Sequence, residues 1–483
     1  MPAGSTPRRA DPAADRSDGL RGAGRVLARA VRRRSPEEEG ARQGFRRVEV
    51  GVSDADLIGW LRAQPAPRGF WKDRGGEARA FAGVADRFET PAHLDERLQN
   101  EPSSDDEAAS GPDALRCYGG VRFDRARAAA DGWQHFGPGA FVLPRFELRR
   151  VRDGSDDDDG EARLACHLAP GEKAGPVAAE IEQLAPPAPS SSADPALPRP
   201  TRRDDHPGRS AWEERVEAAL RAIDEGTVQK VVLARRTTFR FEQSLDPVPV
   251  LERLRALAPG GFAFLFQPRR AGAFLGVSPE RLFRQRGRRV WSEAVAGTRP
   301  RASAPDADDA LRRELLESDK DRREHAFVQR YVREALDPLC TSLDERDAAA
   351  LTLQRGRHLY ARFRGQLRDG VSPADVLGAL HPTPAVSGRP SAAAQRFIRR
   401  REPFDRGWYA APVGWVGRGE GGAPAAELAV GIRSGLVRRP NDGDDDRLDL
   451  FAGAGLVDGS EPEAEWNELE QKLGNFTALF RDP

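Results

Sequence analysis

The sequence predicts an α+β fold. Strand-like runs arrive in antiparallel-looking groups with few helices between them, which disfavours a doubly wound parallel sheet, where helices alternate with single strands. Two long stretches, 308–339 and 460–480, carry helical spacing instead, and no internal repeat is visible. At 483 residues the chain has roughly two or three domains' worth of length. Its 76 basic and 76 acidic side chains cancel, which argues against a partner held by a whole-chain positive field, whether nucleic acid or an anionic membrane. No apolar run approaches the ~18 residues of a membrane span, so a soluble chain is expected. Cys117, Cys166 and Cys340 have no metal spacing and form no disulfide framework. They read as small buried residues in a reducing, cytoplasmic setting.

Taken in order, residues 1–45 are rich in Arg, Ala, Gly, Ser and Pro and read as a disordered extension. The run 24–34 could form a short basic amphipathic helix. Residues 46–185 are a β-rich part, with Cys117-Tyr-Gly-Gly-Val-Arg-Phe123 and Ala140-Phe-Val-Leu-Pro-Arg-Phe-Glu-Leu148 as strands. The acid runs at 104–107 and 155–159 read as solvated loops. Residues 186–208, rich in Pro, Ser and Ala, are the linker candidate. Residues 209–483 form the sharpest region. Trp212, Val216, Ala219, Leu220 and Ile223 have helical spacing, closed by Gly226. Strands are expected at 228–241, across 262–298, and at 358–367, 410–418, 427–437 and 448–457. In the last helix Ser460 and Glu463 make a capping-box pattern, with Pro462 in the first turn.

Two local patterns lose their force in context. Gly417-Arg-Gly-Glu-Gly-Gly422 has dinucleotide-loop spacing, but it lies between two strand-like runs and no helix follows to receive a phosphate. Asp442-Gly-Asp-Asp-Asp446 lacks the glycine and glutamate of a calcium loop.

The chemistry-bearing residues stand out through scarcity. Only five basic residues are lysines; the other 71 are arginines. Lys can lose its proton in a crowded or buried site and Arg cannot. Lys230 opens an apolar strand, sharing its face with Val232 and Ala234; it is either an edge lysine reaching water or a buried base. Glu280 lies in Ser278-Pro-Glu-Arg-Leu282, as a turn partner of Arg281 or as a carboxyl made acidic-catalyst-like by burial. Glu465, Glu468 and Lys472 share one helical face, either as an exposed i,i+4 pair or as part of a site. Glu324 borders the apolar stripe Phe327, Val328, Tyr331 and Val332. Brought together, one carboxylate from each of two helices would suit Mg2+.

These segments, in this order, resemble the chorismate-utilising enzymes, and within them the isochorismate synthase branch. The resemblance is carried by Lys230-Val-Val-Leu-Ala-Arg235, Ser278-Pro-Glu-Arg-Leu282, Ala296-Gly-Thr-Arg-Pro-Arg301, Ser318-Asp-Lys-Asp-Arg-Arg-Glu-His325, His381-Pro-Thr-Pro-Ala-Val-Ser-Gly388, Gly431-Ile-Arg433, and Phe451-Ala-Gly-Ala-Gly-Leu-Val457 followed by Glu465, Glu468 and Lys472. It covers about 228–475 and extends more loosely through 117–123 and 141–144.

The resemblance implies a sandwich of two large antiparallel sheets with helices outside. It also implies an isomerase that converts chorismate to isochorismate with Mg2+ held by Glu324 and Glu468, with Glu465 beside them. Lys230 would activate water for attack at C2 and Glu280 would protonate the departing C4 hydroxyl. Gly297, Thr298, Arg433, Gly453 and Lys472 would bind substrate. Aminodeoxychorismate synthases carry a nucleophilic lysine in Pro-Ile-Lys-Gly-Thr; here the site reads Val295-Ala-Gly-Thr298, so no amine-forming route and no glutamine amidotransferase partner is expected. A salicylate synthase, which adds pyruvate elimination, and a siderophore-pathway role stand as alternatives to a menaquinone role.

Overall fold

The computed structural model describes residues 19–33, 44–53, 55–99, 115–130, 132–150, 162–185, 196–300, 302, 304–352, 356–439 and 444–480. The acid runs at 104–107 and 155–159, residues 186–195 and the start of the acidic loop at 442–446 lie outside them. Among the described residues the strands form two sheets, and every pair is antiparallel. The twelve-stranded sheet runs Arg46–Val52, Ala162–Leu168, Phe146–Arg150, Ala78–Ala82, Arg68–Lys72, Phe262–Arg269, Gly272–Ser278, Ser434–Arg438, Asp446–Leu456, Lys230–Phe241 and Gly388–Arg389. Arg202–His206 pairs along the far half of Lys230–Phe241. The nine-stranded sheet runs Cys340–Thr352, Gly356–Leu367, Arg289–Pro300, Arg281–Arg286, Pro424–Val430, Pro412–Arg418, Leu115–Val121, Gly139–Leu143 and Asp86–Phe88.

The sheets pack face to face as the α+β sandwich expected. Phe81 of one stacks on Tyr118 of the other, with ring centroids 4.4 Å apart. Between them Glu147 accepts hydrogen bonds from Arg47 (3.0 Å), Arg79 (2.7 Å) and the Tyr118 hydroxyl (2.8 Å), so a fully buried carboxylate is paired on every side. The chain also crosses between the sheets within short spans. Gly272–Ser278 passes to Arg281–Arg286 through Pro279 and Glu280, and Pro424–Val430 passes back to Ser434–Arg438 through Gly431, Ile432 and Arg433. These two crossovers are tied together. The Val430 N–H donates to the Glu280 carbonyl (3.0 Å) and the Val277 N–H to the Arg433 carbonyl (3.2 Å).

Several expectations are revised. The extension expected over 1–45 contains a helix, Gly19–Arg33, whose Ala23, Leu27, Ala28 and Val31 are buried. It packs on Ala174–Glu182, with Arg32 paired to Glu182 at 2.8 Å. It takes in the short basic amphipathic run read at 24–34, up to Arg33, and buries that run's apolar side. The linker expected over 186–208 carries the strand Arg202–His206, which is polar because it covers a sheet edge rather than a core. The helix expected over 308–339 is two, Pro305–Glu317 and Asp319–Leu336. Ser318 is extended between them, and its hydroxyl accepts the Asp321 N–H (3.2 Å) to cap the second. The helix Arg209–Asp224 ends as expected, with Gly226 at φ +70°. Among the described residues no helix is long and apolar enough to cross a membrane.

Candidate active site

Four elements meet at one end of the twelve-stranded sheet: the start of Lys230–Phe241, the end of Asp446–Leu456, the helix Asp319–Leu336 and the helix Pro462–Ala478. The two strands pair so that Val232 faces Gly455 and Ala234 faces Gly453. Lys230 opens its strand and is fully buried, its Nζ 2.9 Å from Glu324 Oε1. The edge-lysine alternative is thereby removed. Gly455 makes the meeting possible: a Cβ there would stand 2.4 Å from Glu324 Oε1 and 3.2 Å from Lys230 Cε. Two residues away, on the same face of the strand, the Gly453 carbonyl accepts Lys472 Nζ at 2.7 Å. Lys472 also pairs with Glu468 at 2.5 Å, one turn back on its helix. Glu324 and the Lys472–Glu468 pair thus meet the strand two residues apart, roughly 7 Å along it. Glu465, a turn earlier, is buried.

Glu280 is buried at the crossover between the sheets, rather than within a strand as its apolar neighbours suggested. Burial first, and the nearby Glu293 second, push its carboxyl up to about 8, against the opposing pull of Arg74, Lys230 and Arg433. Arg433 lies at the other crossover with φ +52°, a left-handed conformation unusual for a side-chain-bearing residue and held here by the tie to Val277. It lines a cleft of about 380 Å³, part of it open to solvent, together with Lys472, Gly453, Tyr409, Ile432 and Val386. Burial of the Arg433 guanidinium lowers its pKa. Gly297 has φ +66°, and a Cβ there would approach Asp321 Oδ1 to 2.9 Å. Its carbonyl accepts His358 Nδ1–H at 3.1 Å, and burial holds that imidazole down to about 4, so it is neutral. Thr298 follows in the strand Arg289–Pro300; its side chain lies outside those described.

The structure thus places Arg433, Gly453 and Lys472 on one cleft, with Glu468 held by Lys472 and the Lys230–Glu324 pair meeting at Gly455 beside it; Glu465 is buried a turn from Glu468. Glu280 faces Lys230 and Arg433 from the crossover, and Gly297, on the second sheet, holds His358 near Arg433 and Lys472. Sequence reasoning missed Tyr409 and His358. The scarcity that marked lysine would also have marked Tyr409, one of four tyrosines.

The donor set fits a hard divalent cation. Glu324 and Glu468 offer only oxygen, and each is held by a lysine rather than by arginine forks. Among the described residues no cluster of three or more His, Cys, Asp or Glu forms a closed metal cage. An open site of one or two carboxylates, completed by ligand oxygens and water, is the arrangement Mg2+ takes.

Fold and site define a class that the sequence comparison also finds: the chain belongs to the family described as "Chorismate binding enzyme", whose match covers residues 41–480. Within that family the likeness is to isochorismate synthases. The chain is 39% identical over 381 residues to the salicylate biosynthesis isochorismate synthase of Pseudomonas aeruginosa, covering 76% of this chain and 75% of that one. It is 34% identical over 378 residues to the chloroplastic isochorismate synthase of Catharanthus roseus, covering 76% of this chain. The match spans 62% of that plant protein, less than two thirds of its length. Among solved structures, MenF, the menaquinone-specific isochorismate synthase from Escherichia coli, superposes with a TM-score of 0.81. It has 28% identity and covers 96% of this chain and 100% of the other.

Proposed function

We propose that the chain is an Mg2+-dependent isochorismate synthase, an isomerase that interconverts chorismate and isochorismate. The observation that carries the reading is the pairing of a fully buried Lys230 on one sheet with a buried, protonated Glu280 at the crossover to the other. An acid and a base on different elements suit removal of one hydroxyl and addition of another.

In this reading Lys230 takes a proton from the water that attacks C2. Glu280 gives its proton to the C4 hydroxyl, which leaves as water while the ring double bonds shift between the two carbons. One water enters and one leaves, so the product is an isomer. Arg433 and the backbone at Gly453 hold the enolpyruvyl carboxylate, Lys472 sits near the metal and carboxylate, and Gly297 and Thr298 line the ring. Glu324 and Glu468, with Glu465 beside them, would hold Mg2+, which supplies charge neutralisation for the ring carboxylate. Glu324 also fixes the Lys230 amine. Water as nucleophile needs no amidotransferase partner.

A menaquinone role is supported by likeness to MenF along nearly the whole chain, the N-terminal part included. The Pseudomonas relative's name supports a second reading, supply of isochorismate toward salicylate. The test is incubation of purified protein with chorismate and Mg2+, without ammonia, and product analysis by chromatography and NMR. Isochorismate in equilibrium with chorismate, without pyruvate, is expected. Salicylate with stoichiometric pyruvate would move the chain to the lyase branch, and unaltered chorismate would overturn the reading.

A further inference from the structure

Four buried or half-buried charges surround the crossover that carries Glu280, and they balance among themselves. Glu293 Oε1, on the strand Arg289–Pro300, receives Arg74 Nη1 at 2.8 Å and Arg281 Nη1 at 2.9 Å. Arg281 turns its other nitrogens to Glu427 Oε1, at 3.2 and 3.0 Å. Both guanidiniums lie over the Phe262 ring, 5.0 and 5.4 Å from its centroid. Arg74 comes from the turn between Arg68–Lys72 and Ala78–Ala82, far away in sequence, and its Nη2 also donates to the Pro279 carbonyl. Glu293 Oε2 lies 3.4 Å from the Arg281 N–H. The residues on both sides of Glu280 are therefore tied to one carboxylate, directly or through Arg74.

We propose that Glu293 is a positioning residue for the acid. Through Arg74 and Arg281 it fixes the 278–281 crossover, and it engages both guanidiniums that reach that crossover, so neither is left to pair with Glu280. Two positive and two negative charges close the group, so an ionised Glu280 would be the odd charge in a buried place. The other charged groups facing Glu280 are Lys230 from the opposite sheet and Arg433 from the second crossover. Lys230 is engaged by Glu324. Tyr360 hydrogen-bonds Glu293 and sits on the same side.

The inference rests on Glu280 being the acid, and the experiment separates the two. Glu280→Gln should abolish turnover; if it does not, the assignment of the acid fails first. With that established, Glu293→Gln releases one net positive charge beside Glu280. The basic limb of the kcat profile, expected near 8 in the parent, should move down by about one pH unit or more. Turnover at pH 8 then falls about fivefold or more while the acid side of the profile is largely kept. Arg74→Gln leaves a net negative charge and should move the limb upward. A role confined to packing would lower kcat at every pH alike. Parallel loss without a shift, or a shift of the same sign in both variants, overturns the inference. Should Glu293→Gln fail to fold, Glu293→Asp, which keeps the charge, and Arg74→Gln decide it: Asp must retain the parent limb and Gln must raise it.

Discussion

At the scale of single residues, the site is assembled against the preferences of its own groups. Glu280 is buried with its carboxyl raised to about 8 from an ordinary value near 4.5. The folded chain therefore binds a proton that the unfolded chain has released between those pH values. Stability must fall as pH rises from about 4.5 to about 8 and then level off. Glu280→Gln removes that dependence. Thermal melts of the two proteins should coincide near pH 5, with the variant gaining as pH rises to 8. Melts that stay parallel would show that Glu280 is ionised in the fold. Gly455 sets a second constraint. Gly455→Ala places a methyl group against the flexible end of Glu324, so the chain should fold with a near-parent Tm, yet lose most turnover because the carboxylate and Lys230 no longer meet. Turnover within a few-fold of the parent would refute the close approach. Lys230, Glu324, Glu468 and Lys472 were legible because they are unusual in sequence, a rare lysine in an apolar run or acids at helical spacing. Glu293 and Arg74 were not, because one arginine among 71 carries no signal and their meeting joins residues 219 positions apart.

At the scale of elements, the sequence read periodicity well and boundaries less well. The apolar run 427–437 looks like one strand. It is two, Pro424–Val430 and Ser434–Arg438, because the chain changes sheets at Arg433, and an apolar pattern cannot say which sheet each half faces. The last helix shows the same limit at its cap. Ser460 and Glu463 have capping-box spacing, but the helix Pro462–Ala478 is capped at Glu461, without a side-chain bond. The Ser460 hydroxyl instead accepts the buried Val457 N–H at 3.2 Å, and Glu463 reaches Arg209 in solvent. The turn after Asp446–Leu456 needs that hydroxyl more than the helix does. Ser460→Ala should therefore cost about 1 kcal/mol by leaving a buried N–H unpaired. Glu463→Ala should change stability by no more than a few tenths. Denaturant melts giving the reverse order would restore the capping box.

At the scale of the whole molecule, the residues expected as the catalytic region, 209–483, do not make a closed structure. Phe262–Arg269 pairs with Arg68–Lys72 on one side, from Ala263 opposite Lys72 to Gln267 opposite Arg68. In the other sheet Pro412–Arg418 pairs with Leu115–Val121. Each sheet is thus continuous across the division at 186–208, and the buried side chains, among them Phe264, Phe266, Trp415 and Val416, belong to one core. Removing the N-terminal part would open both sheets in mid-width and leave two unpaired edges beside large apolar faces. It would also take away Arg74, and with it one tether of the Glu280 crossover. The full chain should accordingly unfold in a single transition, seen alike by heat capacity and by tryptophan fluorescence. Expressed alone, 209–483 should aggregate and show no turnover, although every residue assigned to the reaction is present in it. A soluble, monodisperse fragment with a cooperative melt would mean that the C-terminal half closes its own edges. Residual turnover in that fragment would further mean that the acid keeps its place without Arg74.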